Sequence, residues 1–175
     1  MISQPRLNLA CGQIRIAGYF GIDIIQTDAA DALIDLEIFP WNIKSDSAEE
    51  IICNHYIEHT PDLIKFMDEV YRILKPGGFI KIIAPYYTSV RCWQDPTHKR
   101  AISEETFYYF NKEWRELTHL THYPIKSDFE IHTVLIDNPN SPYPGWTKLP
   151  NELKSIYRKT YWNLVDDIFA TLIKR

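Results

Sequence analysis

Leu7-Asn8-Leu9-Ala10-Cys11-Gly12, close to the N-terminus, is the stretch from which the rest of the sequence takes its order. Leu7 and Leu9 suit a short buried strand, and Ala10, Cys11 and Gly12 are small residues at its carboxyl end. With no branched or long side chain in the way, a ligand can come against the backbone there. Open parallel α/β sheets bind ligands outside the carboxyl ends of their strands, where the strand order switches direction. By itself a small-residue turn after a strand is a weak signal, and its meaning depends on the strands downstream of it.

Gly18 to Asp23 reads as a second strand ending on an acid, and Asp23 follows Gly12 by only eleven positions. A parallel crossover normally takes about a dozen residues or more and carries a helix, so here that helix is shortened or missing. Ala32 to Leu36 reads as a third short strand with Asp35 near its end, and Ile51 to Asn54 as a fourth. Thr60 then suits a helix cap, with Pro61 at the first position and Asp62 in the first turn. Leu63, Phe66, Met67, Val70, Tyr71 and Leu74 form one apolar stripe, and Pro76-Gly77-Gly78 stops the helix. Phe79 to Pro85 follows as a strand. This order predicts a single α/β domain over residues 1–175 with a mostly parallel sheet.

Tyr86 to Arg100 is a long polar and aromatic loop, and loops of that length often carry function. Ser103 caps a short helix with Glu104 and Glu105 in its first turn. Trp114 to His122 and Phe129 to Asp137 read as further strands, and Asn138 to Pro150 as a surface loop. Leu153, Ile156, Tyr157, Tyr161, Leu164, Ile168 and Leu172 hold helical spacing, which predicts a long C-terminal amphipathic helix. That helix would serve a homodimer as readily as a core.

Apolar residues make up 45% of the chain, enough for a sizeable core. A net charge of −4 without a basic block argues against a nucleic-acid partner. The three cysteines, Cys11, Cys53 and Cys92, show neither disulfide nor zinc-ribbon spacing and point to a reducing compartment. With no signal-peptide pattern and no apolar run of bilayer length, the expected location is the cytoplasm.

Leu7 to Gly12, Gly21-Ile22-Asp23, Glu58-His59, Leu74-Lys75-Pro76-Gly77-Gly78 and Asp95-Pro96-Thr97-His98-Lys99-Arg100 occur together in a telling order. In combination they resemble a class I S-adenosylmethionine-dependent methyltransferase, of the compact sub-group often associated with glycan and polysaccharide biosynthesis. The resemblance runs from about Leu7 to Phe110 and implies a Rossmann-like three-layer sandwich. It implies S-adenosyl-L-methionine as methyl donor, S-adenosyl-L-homocysteine as product, and a small-molecule or saccharide acceptor. By position, Ala10, Cys11 and Gly12 match the turn under the donor's methionine part, and Asp23 the acid on both ribose hydroxyls. A carboxylate suits that task, having two oxygens for two donors. Asp35 and Leu36 match the adenine contacts, and Asn54 lies where the family meets the sulfonium. The chain departs from the family in having Ala10 where glycine is usual, in lacking a third glycine, and in its shortened first crossover. That shortening is shared by the compact sub-group.

Asp23 and Asp35 also read, one at a time, as solvated strand-end acids, and Asn54 as a residue tying a loop. His55-Tyr56-Ile57-Glu58-His59 spells the H-x-x-E-H of inverted zinc peptidases, with Glu69 as a downstream ligand. That chemistry needs the motif on one continuous helix, whereas here the helix begins after it, so the motif is assigned to the loop after strand four. No metal is expected. Ala84-Pro85-Tyr86-Tyr87 resembles the D/N-P-P-Y motif of adenine and amide methyltransferases but follows the fifth strand, not the fourth, so that specificity is rejected. Tyr87, Asp95 and Arg100 are the expected acceptor-binding residues. His98 and His55 are the expected proton acceptors, since imidazole titrates near neutrality. The alternative functions are a non-catalytic module that binds the methyl donor or a partner, and a dinucleotide-dependent oxidoreductase. The latter's fingerprint places its acid about 20 residues on, and G-x-G-x-x-G is absent.

Overall fold

In the computed structural model, residues 1–158 and 160–175 are described. Leu7, Leu9 and Cys53 are buried because their strands lie in the middle of a seven-stranded sheet. The strands are β1 (Arg6–Leu9), β2 (Phe20–Asp23), β3 (Ala32–Leu33), β4 (Ala48–Asn54), β5 (Leu74–Pro85), β6 (Phe129–Asp137) and β7 (Val165–Lys174). Their spatial order is β3-β2-β1-β4-β5-β7-β6. β1 to β5 run parallel, and β7 lies antiparallel between β5 and β6. The order reverses between β1 and β4, so both the β1 and β4 carboxyl ends flank the switch point at which ligands bind.

Helix α1 (Leu63–Ile73) makes the β4 to β5 crossover and buries Phe66, Met67, Val70 and Ile73 against the sheet. Full burial of one such side chain contributes about 1.5–3 kcal/mol. Its cap is Asp62, whose carboxylate accepts the Lys65 N–H at 3.0 Å, not Thr60 as the sequence suggests. Thr60 is fully buried two residues earlier. The indole of Trp41, from the β3–β4 connection, packs edge-on against Phe66 and donates to Leu36 O.

Among the described residues no helix occurs in the β1–β2 connection, as expected. A polar clamp holds that connection instead. Arg15 donates to both Asp31 oxygens and to Asp28 O, and Asp31 Oδ2 accepts the Gly21 N–H at 2.8 Å.

Three expectations are corrected. The predicted C-terminal helix divides into α5 (Asn151–Arg158) and strand β7. β7 buries one face fully and the other by half, so its apolar residues Ile168, Phe169, Ala170, Leu172 and Ile173 run almost together, and periodicity alone does not separate such a run from a buried helix. The segment thus completes the sheet. Trp114 to His122 is not a strand: its first four residues lie in helix α4 (Lys112–Leu117), started by Asn111, whose side chain accepts the Trp114 N–H at 2.7 Å, and the rest is turn. The third strand stops at Leu33, so Asp35 and Leu36 lie in the turn beyond it. The 86–100 loop carries helix α2 (Val90–Gln94), and Ser103 begins helix α3 (Glu104–Tyr108) as expected.

Candidate active site

At the β1 end the chain turns sharply. Ala10 has φ +52° and Gly12 φ +54°, both in the left-handed region that glycine tolerates best. The turn aims the Gly12 N–H at Asp23 Oδ2, 2.7 Å away, and the Thr27 hydroxyl donates to Gly12 O at 2.5 Å. Asp23 Oδ1 accepts the Ile25 N–H at 3.1 Å. Cys11 packs with Ala29 and Ala30 beneath the turn. Burial, helped by the Asp23 charge, pushes its thiol pKa up, so it is packing and not a nucleophile.

Beside the turn lies a cleft of about 320 Å³ lined by Ala10, Asp23, Ile34, Asp35, Leu36 and Tyr56, with Ile24 at its rim. Ile24 is 61% exposed, an apolar side chain left uncovered next to a carboxylate. Four of the sequence-predicted donor residues, Ala10, Asp23, Asp35 and Leu36, therefore meet in one place. Gly12 reaches it through Asp23. Cys11 lies below the turn, and Asn54 ends β4 outside the cleft lining. Ile24, Ile34 and Tyr56 were not singled out in the sequence; an apolar residue directly after the second-strand acid was the available signal.

A second, polar hollow of about 200 Å³ opens past the β4 end, lined by His55, Glu58, His59, Arg91, Asp95 and His98 among others. Tyr56 faces the first cleft while its neighbour His55 faces this one. His55 has φ +52°, and its Nδ1 stands 3.5 Å from Glu58 Oε1. His98 Nδ1 donates to Cys92 O at 2.8 Å, which leaves its Nε2 as the unprotonated nitrogen of the neutral ring. Asp95 Oδ1 accepts from the Thr97 hydroxyl and N–H, and these bonds hold the Asp95 carboxyl below its ordinary pKa. Two expectations separate here. Arg100 donates to the carbonyls of Ile57, Thr60 and Pro61, so its guanidinium braces the turn into α1. Tyr87 lies in a third hollow of about 460 Å³ with Tyr86, Glu104, Glu105 and Arg158. Glu69, the downstream metal ligand considered for H-x-x-E-H, is consumed by Arg72 and the Trp41 N–H.

Residues 5–82 match the model of the methyltransferase domain family. A S-adenosylmethionine-dependent methyltransferase from Archaeoglobus fulgidus has a similar fold at TM-score 0.65 and 16% identity, over 98% of this chain and 86% of that one. One from Mesorhizobium loti is similar at TM-score 0.55 and 13% identity, over 98% and 91%. Residues 5–82 thus match a methyltransferase domain, and the chain has the fold of S-adenosylmethionine-dependent methyltransferases. A third similar structure is the Haemonchus contortus phosphoethanolamine N-methyltransferase 2, in complex with phosphomonomethylethanolamine and S-adenosylhomocysteine. It matches at TM-score 0.51 and 15% identity, over 99% of this chain and 50% of that one. No curated protein matches the sequence. No helix among the described residues is long and apolar enough to cross a membrane. In this chain the Arg15–Asp31 clamp stands where the crossover helix is missing.

Proposed function

We propose that the methyl donor binds with its ribose on Asp23, its adenine in the 320 Å³ cleft against Ile24, Asp35 and Leu36, and its methionine part over Ala10-Cys11-Gly12. Asn54, at the β4 end, then faces the sulfonium. The observation that carries this reading is the Asp23 carboxylate, pinned by the Gly12 N–H at the switch point and opening into an apolar-rimmed cleft. When bound, the donor supplies a methyl group on a positively charged sulfur that leaves as a neutral thioether.

The acceptor, a hydroxyl or amine of a small molecule or saccharide, approaches from the polar hollow past β4. His98 Nε2 and His55 are placed to take its proton, and Asp95 to contact its polar groups. Holding acceptor and methyl group in line is the main task, and alignment of this kind lowers a barrier by about 7–11 kcal/mol at best. The three cysteines are all unpaired and buried, in keeping with a cytoplasmic setting.

Titration calorimetry of the chain with S-adenosylmethionine and, separately, NAD tests this, alongside Asp23→Ala. Each charge-assisted hydrogen bond lost costs about 1.5–3 kcal/mol, so the variant binds the donor at least about tenfold more weakly. Failure of the parent chain to bind, or equal binding by the variant, overturns the assignment. Donor binding without any acceptor-dependent release of S-adenosylhomocysteine would favour the non-catalytic module.

A further inference from the structure

Glu58 is 1% exposed, and neither of its carboxylate oxygens has a hydrogen-bond partner among the described residues. A buried carboxylate left without a partner costs several kcal/mol unless something neutralises it. Arg91, which lines the same hollow, is committed to Asp167 at 2.6 Å. What does surround Glu58 is imidazole: the half-exposed His55 stands 3.5 Å from Oε1 without a hydrogen bond, and two further rings lie beside the carboxylate. One nitrogen each of His59 and His98 and one Glu58 oxygen lie within 4.8 Å of one another, and the two rings meet edge to face with centroids 4.7 Å apart.

The hydrogen bonds behind the rings decide which nitrogens are free to bind. His98 Nδ1 must donate, because its partner is the Cys92 carbonyl. Thr97 gives its one hydroxyl proton to the ionised Asp95, so at 2.9 Å its oxygen accepts from His59 Nδ1. In the neutral form, the one that binds a metal, both rings therefore carry their lone pair on Nε2. Asp95–Thr97–His59 is a carboxylate-backed relay of the kind that orients metal-bound histidines.

We propose that Glu58, His59 and His98 bind a divalent transition-metal ion, with coordination positions left open toward His55, Gln94 and Asp95. Two imidazoles and a carboxylate suit zinc or iron(II), and three protein ligands with an open position are the pattern of reactive sites. Around zinc such ligand atoms stand roughly 3–3.5 Å apart, so side-chain rotations close the set. This is not the H-x-x-E-H arrangement, since Glu58 is a ligand, His55 stands outside, and the third ligand comes from the 95–100 loop. The ion would meet an acceptor oxygen in the open position and leave His55 as the base; that role rests on the methyl-transfer reading, whereas metal binding does not.

The test is titration of the chelator-stripped full chain with Zn²⁺ against a competing chromophoric chelator, and with Co²⁺ by visible absorption, in the absence of methyl donor. One ion per chain is expected, with cobalt bands of low-symmetry nitrogen and oxygen coordination. His98→Ala and Glu58→Gln lose the site, and Thr97→Val, which removes only the orienting bond, weakens it about 10–100-fold. His132→Ala, an exposed histidine elsewhere, leaves it unchanged. Thermal melts establish that each variant is folded, and Thr97→Val decides the matter if the ligand variants are not. No binding, or binding that Thr97→Val and the folded ligand variants leave unchanged, overturns the proposal. Donor calorimetry on the same samples is a separate readout, so the two assignments can fail independently.

Discussion

Substituting Gly21 by alanine should do more damage than its single added carbon suggests. A Cβ built on Gly21 lies 1.9 Å from Ala29 O and 3.1 Å from Cys11 Sγ. Relief needs a movement of more than about 1 Å, and the 27–31 turn is not free to retreat. The Gly21 N–H donates to Asp31 Oδ2 and Gly21 O accepts the Asp31 N–H, both at 2.8 Å, while Arg15 fixes Asp31 from the other side. Overpacking costs about 1–3 kcal/mol and each hydrogen bond lost about 0.5–1.5 kcal/mol. A total of about 2–4 kcal/mol lowers the melting temperature of a chain this long by roughly 4–16 °C. Differential scanning calorimetry measures it. Because the same turn carries Thr27, which holds Gly12 O, donor affinity should fall with stability. Gly12→Ala is the comparison: nothing stands within 4 Å of its added carbon, so only the left-handed backbone, about 1–2 kcal/mol, opposes it. A Gly21→Ala protein melting within about 1 °C of the parent would refute the claim that this contact fixes the turn.

Ala10→Gly should stabilise. Relief of the left-handed conformation at φ +52° contributes about 1–2 kcal/mol, partly offset by about 0.4–1 kcal/mol of unfolded-chain entropy; a lower melting temperature would contradict this. Burial by itself would raise the Asp137 carboxyl pKa, but hydrogen bonds from Lys154 and Arg158 outweigh it and hold it below the ordinary 3.8. The stabilisation is then fully present above the unfolded-state value and is lost as pH falls through the lower folded-state value. In urea melts, Asp137→Asn should be less stable than the parent at neutral pH, with the gap closing below about pH 4.

Local signals made the parallel half of the sheet legible. Leu7 to Gly12, the acid at Asp23 and the apolar stripe of α1 each state their role within a few residues, and the switch point follows from their order. β7 was not legible, because its apolar character comes from lying between β5 and β6, partners 80 and more residues away for β5 and about 35 for β6. The cap at Asn111 was missed because a Trp inside a charged helix resembles a strand residue. In the site, the strand-end motifs named four residues that line one cleft, Ala10, Asp23, Asp35 and Leu36. The fate of Arg100 was not, since its three carbonyl partners belong to a turn some forty positions earlier. Glu58 was visible only as a letter in H-x-x-E-H; its isolation from hydrogen bonds is a property of packing.

A crossover without a helix still has to keep Asp23, the acid proposed to bind the donor, in place. A helix would do so with the packed backbone of its first turn. Here both Asp23 oxygens already accept a backbone N–H, from Gly12 on one side and Ile25 on the other. A carboxylate offers about four acceptor positions, so two remain for a pair of ribose hydroxyls without displacing either amide. The backbone bonds then act as the fixed frame that holds the side chain in one rotamer before the ligand arrives, which lowers the ordering cost of binding. What that frame needs is an immobile Gly12 and an immobile Ile25. Thr27 holds the first, and the Arg15–Asp31 clamp holds the turn from which Thr27 reaches it. The clamp, made of exposed charges rather than buried side chains, is what this chain has in place of the missing helix.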